Sequence, residues 1–327
     1  MPVMTLLEAV REALQEEMRE DPRVIVLGED VGAKGGVFKS TEGLQKEFGE
    51  ERVIDTPLAE SLIVGAAIGA SINGLRPVAE IQFADFIHSA IDQIVSEAAR
   101  LRYRSNGMFN CPIVIRAPFG GGVHGALYHS QSLEALFYHV PGLKIVAPST
   151  PYDAKGLLKA AIRDDDPVLF FEHKKAYRLI KGEVPQTDYV LPIGKAEIRR
   201  RGDDITLISY GLMLHHSLEA AEALSKEGIE IEVIDLRTIA PLDMETILAS
   251  VKHTGKVMIV NEDNKTGGIG AEIAASIVEV AFEDLDGPIV RVAGPDIPAV
   301  PFSPPLEEFF LPNPTKIAEA ARQLAEY

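Results

Sequence analysis

Asp55-Thr56-Pro57-Leu58-Ala59-Glu60 runs straight into Ser61-Leu62-Ile63-Val64-Gly65-Ala66-Ala67-Ile68-Gly69-Ala70-Ser71-Ile72. Thr56 has the side chain of a helix N-cap and Pro57 suits the first helical position, so the spacing predicts a helix beginning here. Its body is almost wholly apolar and small, which predicts burial on most sides. Glu60 then falls in the first turns and faces an interior where a carboxylate is costly without a partner. A capping box would put the acid three residues after its cap, but Glu60 stands four after Thr56. An acid near a helix start is ordinary, but one out of capping register in so apolar a helix is a candidate for chemistry.

Upstream, Leu6, Leu7, Val10, Leu14 and Met18 share one face of an opening helix, and Val24-Ile25-Val26-Leu27 is a short β-branched run that reads as a buried strand. It ends at Gly28-Glu29-Asp30. Gly32, Gly35 and Gly36 then mark a loop, and residues 41–48 read as a short helix. Downstream, Asn73-Gly74 stops the helix, residues 76–83 form a strand, and a long helix is predicted over 85–104 on Ile87, Ile91, Ile94, Val95, Ala98 and Leu101. A strand at Ile113-Val114-Ile115, a glycine-rich loop over 120–125 and the cluster Tyr128-His129-Ser130-Gln131 follow. A strand at 143–146, a helix at 152–163 and a strand at 168–171 complete an alternating first half.

Periodicity fades over 174–194, so the boundary is set there, giving domains 1–187 and 188–327. A second alternating set follows, with strands at 205–208, 231–234, 257–260 and 289–292. Helices are predicted near 213–226, 243–252, 271–282 and from about Pro314. The fold class is therefore α/β, with two domains, each a mostly parallel sheet flanked by helices.

The balance of 49 acidic to 32 basic residues gives a net charge of -17, which disfavours nucleic acid and suits a basic protein surface as partner. The single cysteine, Cys111, rules out an internal disulfide framework and fits a reducing compartment, with the cytoplasm expected. Residues 1–20 lack the apolar core of a signal peptide, and no stretch approaches the roughly 18 unbroken apolar residues of a membrane span.

Gly268-Ile269-Gly270 sits between a strand and a helix, but Ile273 stands where a dinucleotide fingerprint needs its third glycine; a tight turn explains the pair. His124, His129 and His139 lack the spacing and nearby cysteines of a zinc site. His129, between Tyr128 and Ser130 after a flexible loop, suits proton transfer near neutral pH. Asp164-Asp165-Asp166 before Pro167 reads as a solvated helix end, with the alternative that helix-end carbonyls and carboxylates hold a hard cation. There is no G-x-S-x-G elbow and no P-loop, and no stretch reads as a magnesium-diphosphate site.

Together, Gly28-Glu29-Asp30-Val31, the Asp55–Glu60 run, Glu80-Ile81-Gln82-Phe83-Ala84-Asp85-Phe86, Tyr128-His129-Ser130-Gln131-Ser132, Ser149-Thr150-Pro151-Tyr152-Asp153-Ala154-Lys155-Gly156 and Val233-Ile234-Asp235-Leu236-Arg237-Thr238 resemble the beta subunits of 2-oxo acid dehydrogenases. The resemblance covers essentially the whole chain. It implies a transketolase-like fold, a pyrimidine-binding domain followed by a C-terminal domain of the transketolase type, and thiamine diphosphate as cofactor.

It also implies roles. Glu60 would hydrogen-bond a ring nitrogen of the aminopyrimidine, favouring the imino tautomer that deprotonates the thiazolium carbon, with burial raising its proton affinity. Phe86 would pack on the pyrimidine, Gln82 and Leu58 would lie at the cofactor, and His129 would assist reductive transfer of the acyl group to a lipoyl arm. Ile113, Ala161, Ile162, Asp164 and Asp166 match a potassium site. Mg2+ and the diphosphate would be held by an alpha subunit, so the chain is expected to work as two alpha plus two beta chains and to be inactive alone. A lipoyl acyl-transferase core would dock through a small basic domain, with Glu283, Asp284, Asp286 and the carboxylate of Tyr327 as candidates. The Gly125–Ser132 run and Lys174-Lys175-Ala176-Tyr177-Arg178 favour a branched-chain substrate over pyruvate, the alternative. An assembly module whose chemistry has decayed is disfavoured by intact Glu60, Phe86 and His129.

Overall fold

The computed structural model describes Met1–Tyr327, in two compact units. One comprises Met1–Phe119 and Leu136–Ile193, the other Gly120–Ala135 and Gly194–Tyr327. The first carries, in chain order, β1 (Val3–Thr5), α1 (Leu6–Glu20), β2 (Val24–Gly28), α2 (Leu44–Phe48), β3 (Val53–Asp55), α3 (Glu60–Ile72), β4 (Arg76–Glu80), α4 (Leu101–Arg104) and β5 (Val114–Phe119). After α5 (Glu134–Tyr138) come β6 (Lys144–Val146), α6 (Pro151–Arg163), β7 (Val168–His173), α7 (Ala176–Leu179) and β8 (Lys181–Glu183). The strands β6-β7-β5-β4-β2-β3 lie side by side, each pair parallel, with Gly28 in register with both Asp55 and Glu80. The sheet is covered on both faces, which is why β2, β5 and β7 are buried at every residue.

Helix α1 begins in a capping box: Thr5 Oγ1 accepts from Glu8 N at 3.2 Å and Glu8 Oε2 accepts from Thr5 N at 2.7 Å. Its predicted apolar face is buried, and its acidic face meets α6, where Glu16 takes Lys155 and Lys159 at 2.7 Å each. Two short pieces were not legible in the pattern. β1 pairs antiparallel with β8, inside the stretch read as irregular, because three-residue strands are too short to show a period.

The predicted helix over 85–104 is instead a 3₁₀ segment (Ala84–Ala90), a π-helical segment (Gln93–Ala98) and α4. The buried residues Ile87, Ala90, Ile94, Ala98 and Leu101 explain the misreading. Their spacing of three in the tight winding and four in the wide one averages to the α-helical period.

The opening helix also differs. Thr56 is not its cap: Thr56 N donates to Gly28 O at 2.9 Å, extending the β2–β3 pairing, and α3 starts at Glu60 after the Pro57 turn. Nor is α3 buried all round. Ile63, Val64, Ala67 and Ile68 face inward, whereas Leu58 before the helix and Leu62, Ala66, Gly69 and Ile72 form an exposed apolar face of this chain.

The second unit carries β9 (Glu197–Arg200), β10 (Ile205–Ser209), α8 (Leu212–Ser225), β11 (Ile231–Asp235), β12 (Thr238–Ala240), α9 (Met244–Thr254), β13 (Val257–Asn264), α10 (Ile269–Ala281), β14 (Val290–Gly294), α11 (Pro304–Phe310) and α12 (Pro314–Ala325). Its sheet runs β14-β13-β10-β11-β9, parallel except for the antiparallel edge strand β9. Gly268 and Gly270 make the tight β13–α10 connection, Gly270 lying against Asn261 and Ile259. No helix is long and apolar enough to cross a membrane.

Candidate active site

In a parallel sheet, ligand-binding groups gather beyond the carboxyl ends of the strands. In the first unit β2, β3 and β4 deliver Glu29, Asp55 and Gln82 to that edge, and α3 brings Glu60. A Cβ on Gly28 would fall 2.7 Å from Glu80 O, so only glycine allows the strand ends to approach this closely. Glu60, half-buried at the first position of α3, accepts a hydrogen bond from Ser89 Oγ at 2.9 Å through Oε2, while Oε1 has no partner. Burial, then the charges of Asp30 and Glu60, push the Glu29 carboxyl above its ordinary value, so this edge concentrates negative charge.

Phe86 is half-buried and meets Phe83 edge-on with centroids 5.8 Å apart; Phe83 meets Phe38 at 5.3 Å. Gln82 Nε2 lies 3.4 Å from Glu29 O, and Leu58 is exposed. A carboxylate with one free oxygen, an aromatic face and a glycine-lined strand edge suit a planar, nitrogen-bearing ring. These donors fit the pyrimidine end of thiamine diphosphate.

Behind this edge lies a charged core that the pattern did not reveal. Arg116, fully buried on β5, is bidentate to Glu172 at 2.7 Å and reaches Glu80 at 2.7 Å. Glu80 Oε2 also accepts from Ser40 Oγ at 2.9 Å, and Tyr177 Oη donates to Glu172. Two carboxylates against one guanidinium keep Arg116 charged and push the Tyr177 hydroxyl well above its ordinary value, burial being the first cause. The network ties the loop at Ser40 to three strands. Removing one partner of such a buried set costs about 3–5 kcal/mol. The sequence signal was a charged residue, Glu80, Arg116 or Glu172, in each of three strands that are otherwise mostly apolar.

At the C-terminal end of α6, Arg76 Nη1 donates to Ile162 O at 3.0 Å and to Asp164 O at 2.8 Å. Asp164 is paired with Lys144 at 2.6 Å and Asp166 with Arg102 at 2.6 Å. Ile113 O accepts from Val168 N and Ala161 O from Asp164 N. Protein donors thus already use each of the five expected potassium ligands; each carbonyl retains a second lone pair.

His129 lies in the second unit, on a loop closed at its base by Gly120 N donating to Gln131 O at 3.0 Å. Carboxylates from elsewhere in that unit hold the loop. Gly121 N donates to Glu262 Oε2 at 3.0 Å, and Gly122 N and His124 N donate to Glu307 Oε1 at 2.8 and 3.3 Å. His124 Nδ1 is 2.6 Å from Glu307 Oε2. On the downstream side Tyr210 Oη donates to Glu134 Oε1 at 2.5 Å, while Glu134 Oε2 is buried without a partner. Burial, reinforced by the charge of Asp263, pushes the Glu134 carboxyl up to about 8; burial alone takes Asp263 up to about 6. Glu262, Asp263, Glu307 and Tyr210 went unread in the sequence, since they stand far from the loop along the chain and only the fold brings them to it.

The transketolase pyrimidine-binding domain matches residues 3–180 and the transketolase C-terminal domain matches residues 194–317. The chain is 64% identical to the 2-oxoisovalerate dehydrogenase subunit beta of Bacillus subtilis and 52% identical to the pyruvate dehydrogenase E1 component subunit beta of the same organism, each over 327 residues and the full length of both chains. It shares the fold of a solved structure described as a split-gene transketolase, inactive beta4 tetramer, with a TM-score of 0.80, 25% identity, and coverage of 99% of this chain and 98% of that one.

Proposed function

Because the chain belongs to the family of 2-oxo acid dehydrogenase beta subunits, we propose that it supplies the pyrimidine half of an active site that oxidatively decarboxylates branched-chain 2-oxo acids and acylates lipoyl groups. The observation that carries the substrate class is the greater identity to the 2-oxoisovalerate relative than to the pyruvate relative. When bound, thiamine diphosphate supplies a carbon nucleophile for the substrate carbonyl. Glu60 would hydrogen-bond the pyrimidine ring nitrogen and share a proton with it through the oxygen that Ser89 leaves free. Phe86 offers its face to the ring, Gln82 and Leu58 border it, and His129 holds or donates a proton during acyl transfer.

No phosphate-binding motif is present, so Mg2+ and the diphosphate fall to an alpha subunit, in an assembly of two alpha and two beta chains. The apolar face of α3 next to Glu60 supports such a partner. The acyl-transferase core, through a basic domain, would meet Glu283, Asp284 and Asp286, of which Glu283 and Asp286 line an exposed apolar groove containing Val278 and Phe282, with Tyr327 packed beside Gly287. Salt should weaken that docking. Potassium would use the second lone pairs of the α6 carbonyls beside Arg76; exchanging potassium for choline should then lower the thermal midpoint.

The substrate reading is tested in enzyme reconstituted with its alpha subunit, by kcat/KM for 3-methyl-2-oxobutanoate and pyruvate. We expect the branched substrate to be preferred at least tenfold, within the roughly 1–3 kcal/mol per methylene that pocket fit supplies. A preference for pyruvate would assign the chain to the alternative substrate.

A further inference from the structure

On the reading that His129 serves acyl transfer, we propose that Glu307 is a positioning residue for it, acting through the loop that carries the imidazole. Glu307 is almost completely buried on α11, yet all three contacts of its carboxylate are to the loop: the backbone N–H groups of Gly122 and His124 and the ring of His124. Leu311, at the end of α11, covers Gly121, whose added Cβ would lie 3.1 Å from its side chain. The backbone of His124 and Ala126 is left-handed, at φ 56° and 55°, a conformation that non-glycine residues hold only where neighbours enforce it.

Between those two residues, Gly125 passes the constraint on. A Cβ there would fall 2.7 Å from His129 Cβ and 2.7 Å from His129 O, so the backbone of Gly125 rests directly on His129. The path is Glu307 to His124, His124 to Gly125, and Gly125 to His129. The base of the loop is fixed separately, by Glu262 on Gly121 and by Gly120 on Gln131. Loss of Glu307 therefore releases the near side of the loop without opening its base, and the imidazole shifts while the sheet beneath stays intact.

The test uses the enzyme reconstituted with its alpha subunit and measures two rates for each variant: dye-coupled decarboxylation, and acylation of a lipoyl domain. A 1 Å misplacement can cost about 10²-fold. Glu307→Ala should therefore slow lipoyl acylation by roughly that factor and slow the dye-coupled rate far less. Glu307→Gln, whose amide oxygen still accepts both N–H groups, should recover most of the loss. His124→Ala, at an exposed side chain, should give a smaller loss in the same half-reaction, and it carries the test with Glu307→Gln if Glu307→Ala does not fold. Normal acylation by Glu307→Ala (or, if that variant does not fold, by both His124→Ala and Glu307→Gln) together with slow acylation by His129→Ala would overturn the positioning role and leave the His129 reading standing. Normal acylation by His129→Ala would overturn both. Equal losses in the two half-reactions would mark Glu307 as structural only.

Discussion

At the scale of single residues, Glu60 shows what a sequence can and cannot give. Its oddity was legible because it breaks a local rule, standing out of capping register before an apolar helix. Its surroundings were not: the true helix start depends on Thr56 being held by Gly28 across the sheet, a contact between residues far apart in the chain. Arg116, Glu80 and Glu172 were illegible for the same reason, since they stand on three different strands and only parallel register brings them together. The free oxygen of Glu60 makes a sharp prediction. In the reconstituted enzyme Glu60→Ala should slow exchange of the thiazolium C2 proton of bound thiamine diphosphate by at least about 10²-fold, the lower end of what a positioned acid or base contributes. Unchanged exchange would remove Glu60 from the chemistry.

At the scale of elements, the alternating strands and helices were readable because each is long enough to show its period. The 84–104 segment was read as one α-helix because periods of three and four average out, and β1 and β8 were too short to register. The His129 loop is the element whose support was least visible, as its anchors come from β13, α11 and the residue after β10. The group that the Tyr210 anchor holds titrates. Glu134 has an ordinary value near 4.5 when unfolded and is raised to about 8 in the fold. The folded state therefore binds the extra proton, and this stabilisation is complete below about 4.5 and lost as pH rises through about 8. Asp263, raised to about 6, acts with the same sign. Calorimetry from pH 5 to pH 9 should show a thermal midpoint whose fall is shallower in Glu134→Gln than in the unaltered chain; identical slopes would mean that Glu134 is ionised in the fold.

At the scale of the whole molecule, two sheets, an acidic surface and an uncovered apolar helix face beside the candidate acid describe a chain made to work with partners. Each unit has its own parallel sheet, as the two alternating runs of the sequence implied. What the chain lacks bears on the same point, because no phosphate-binding motif accompanies Glu60, Gln82 and Phe86 in the sequence. The central claim is that this polypeptide is one end of a shared site. Its most direct test is the rate of decarboxylation of 3-methyl-2-oxobutanoate with thiamine diphosphate and Mg2+, measured for the purified chain alone and after addition of its alpha subunit. The chain alone should not turn over and should become active on addition of the alpha subunit; turnover by the isolated chain would rule out a shared site.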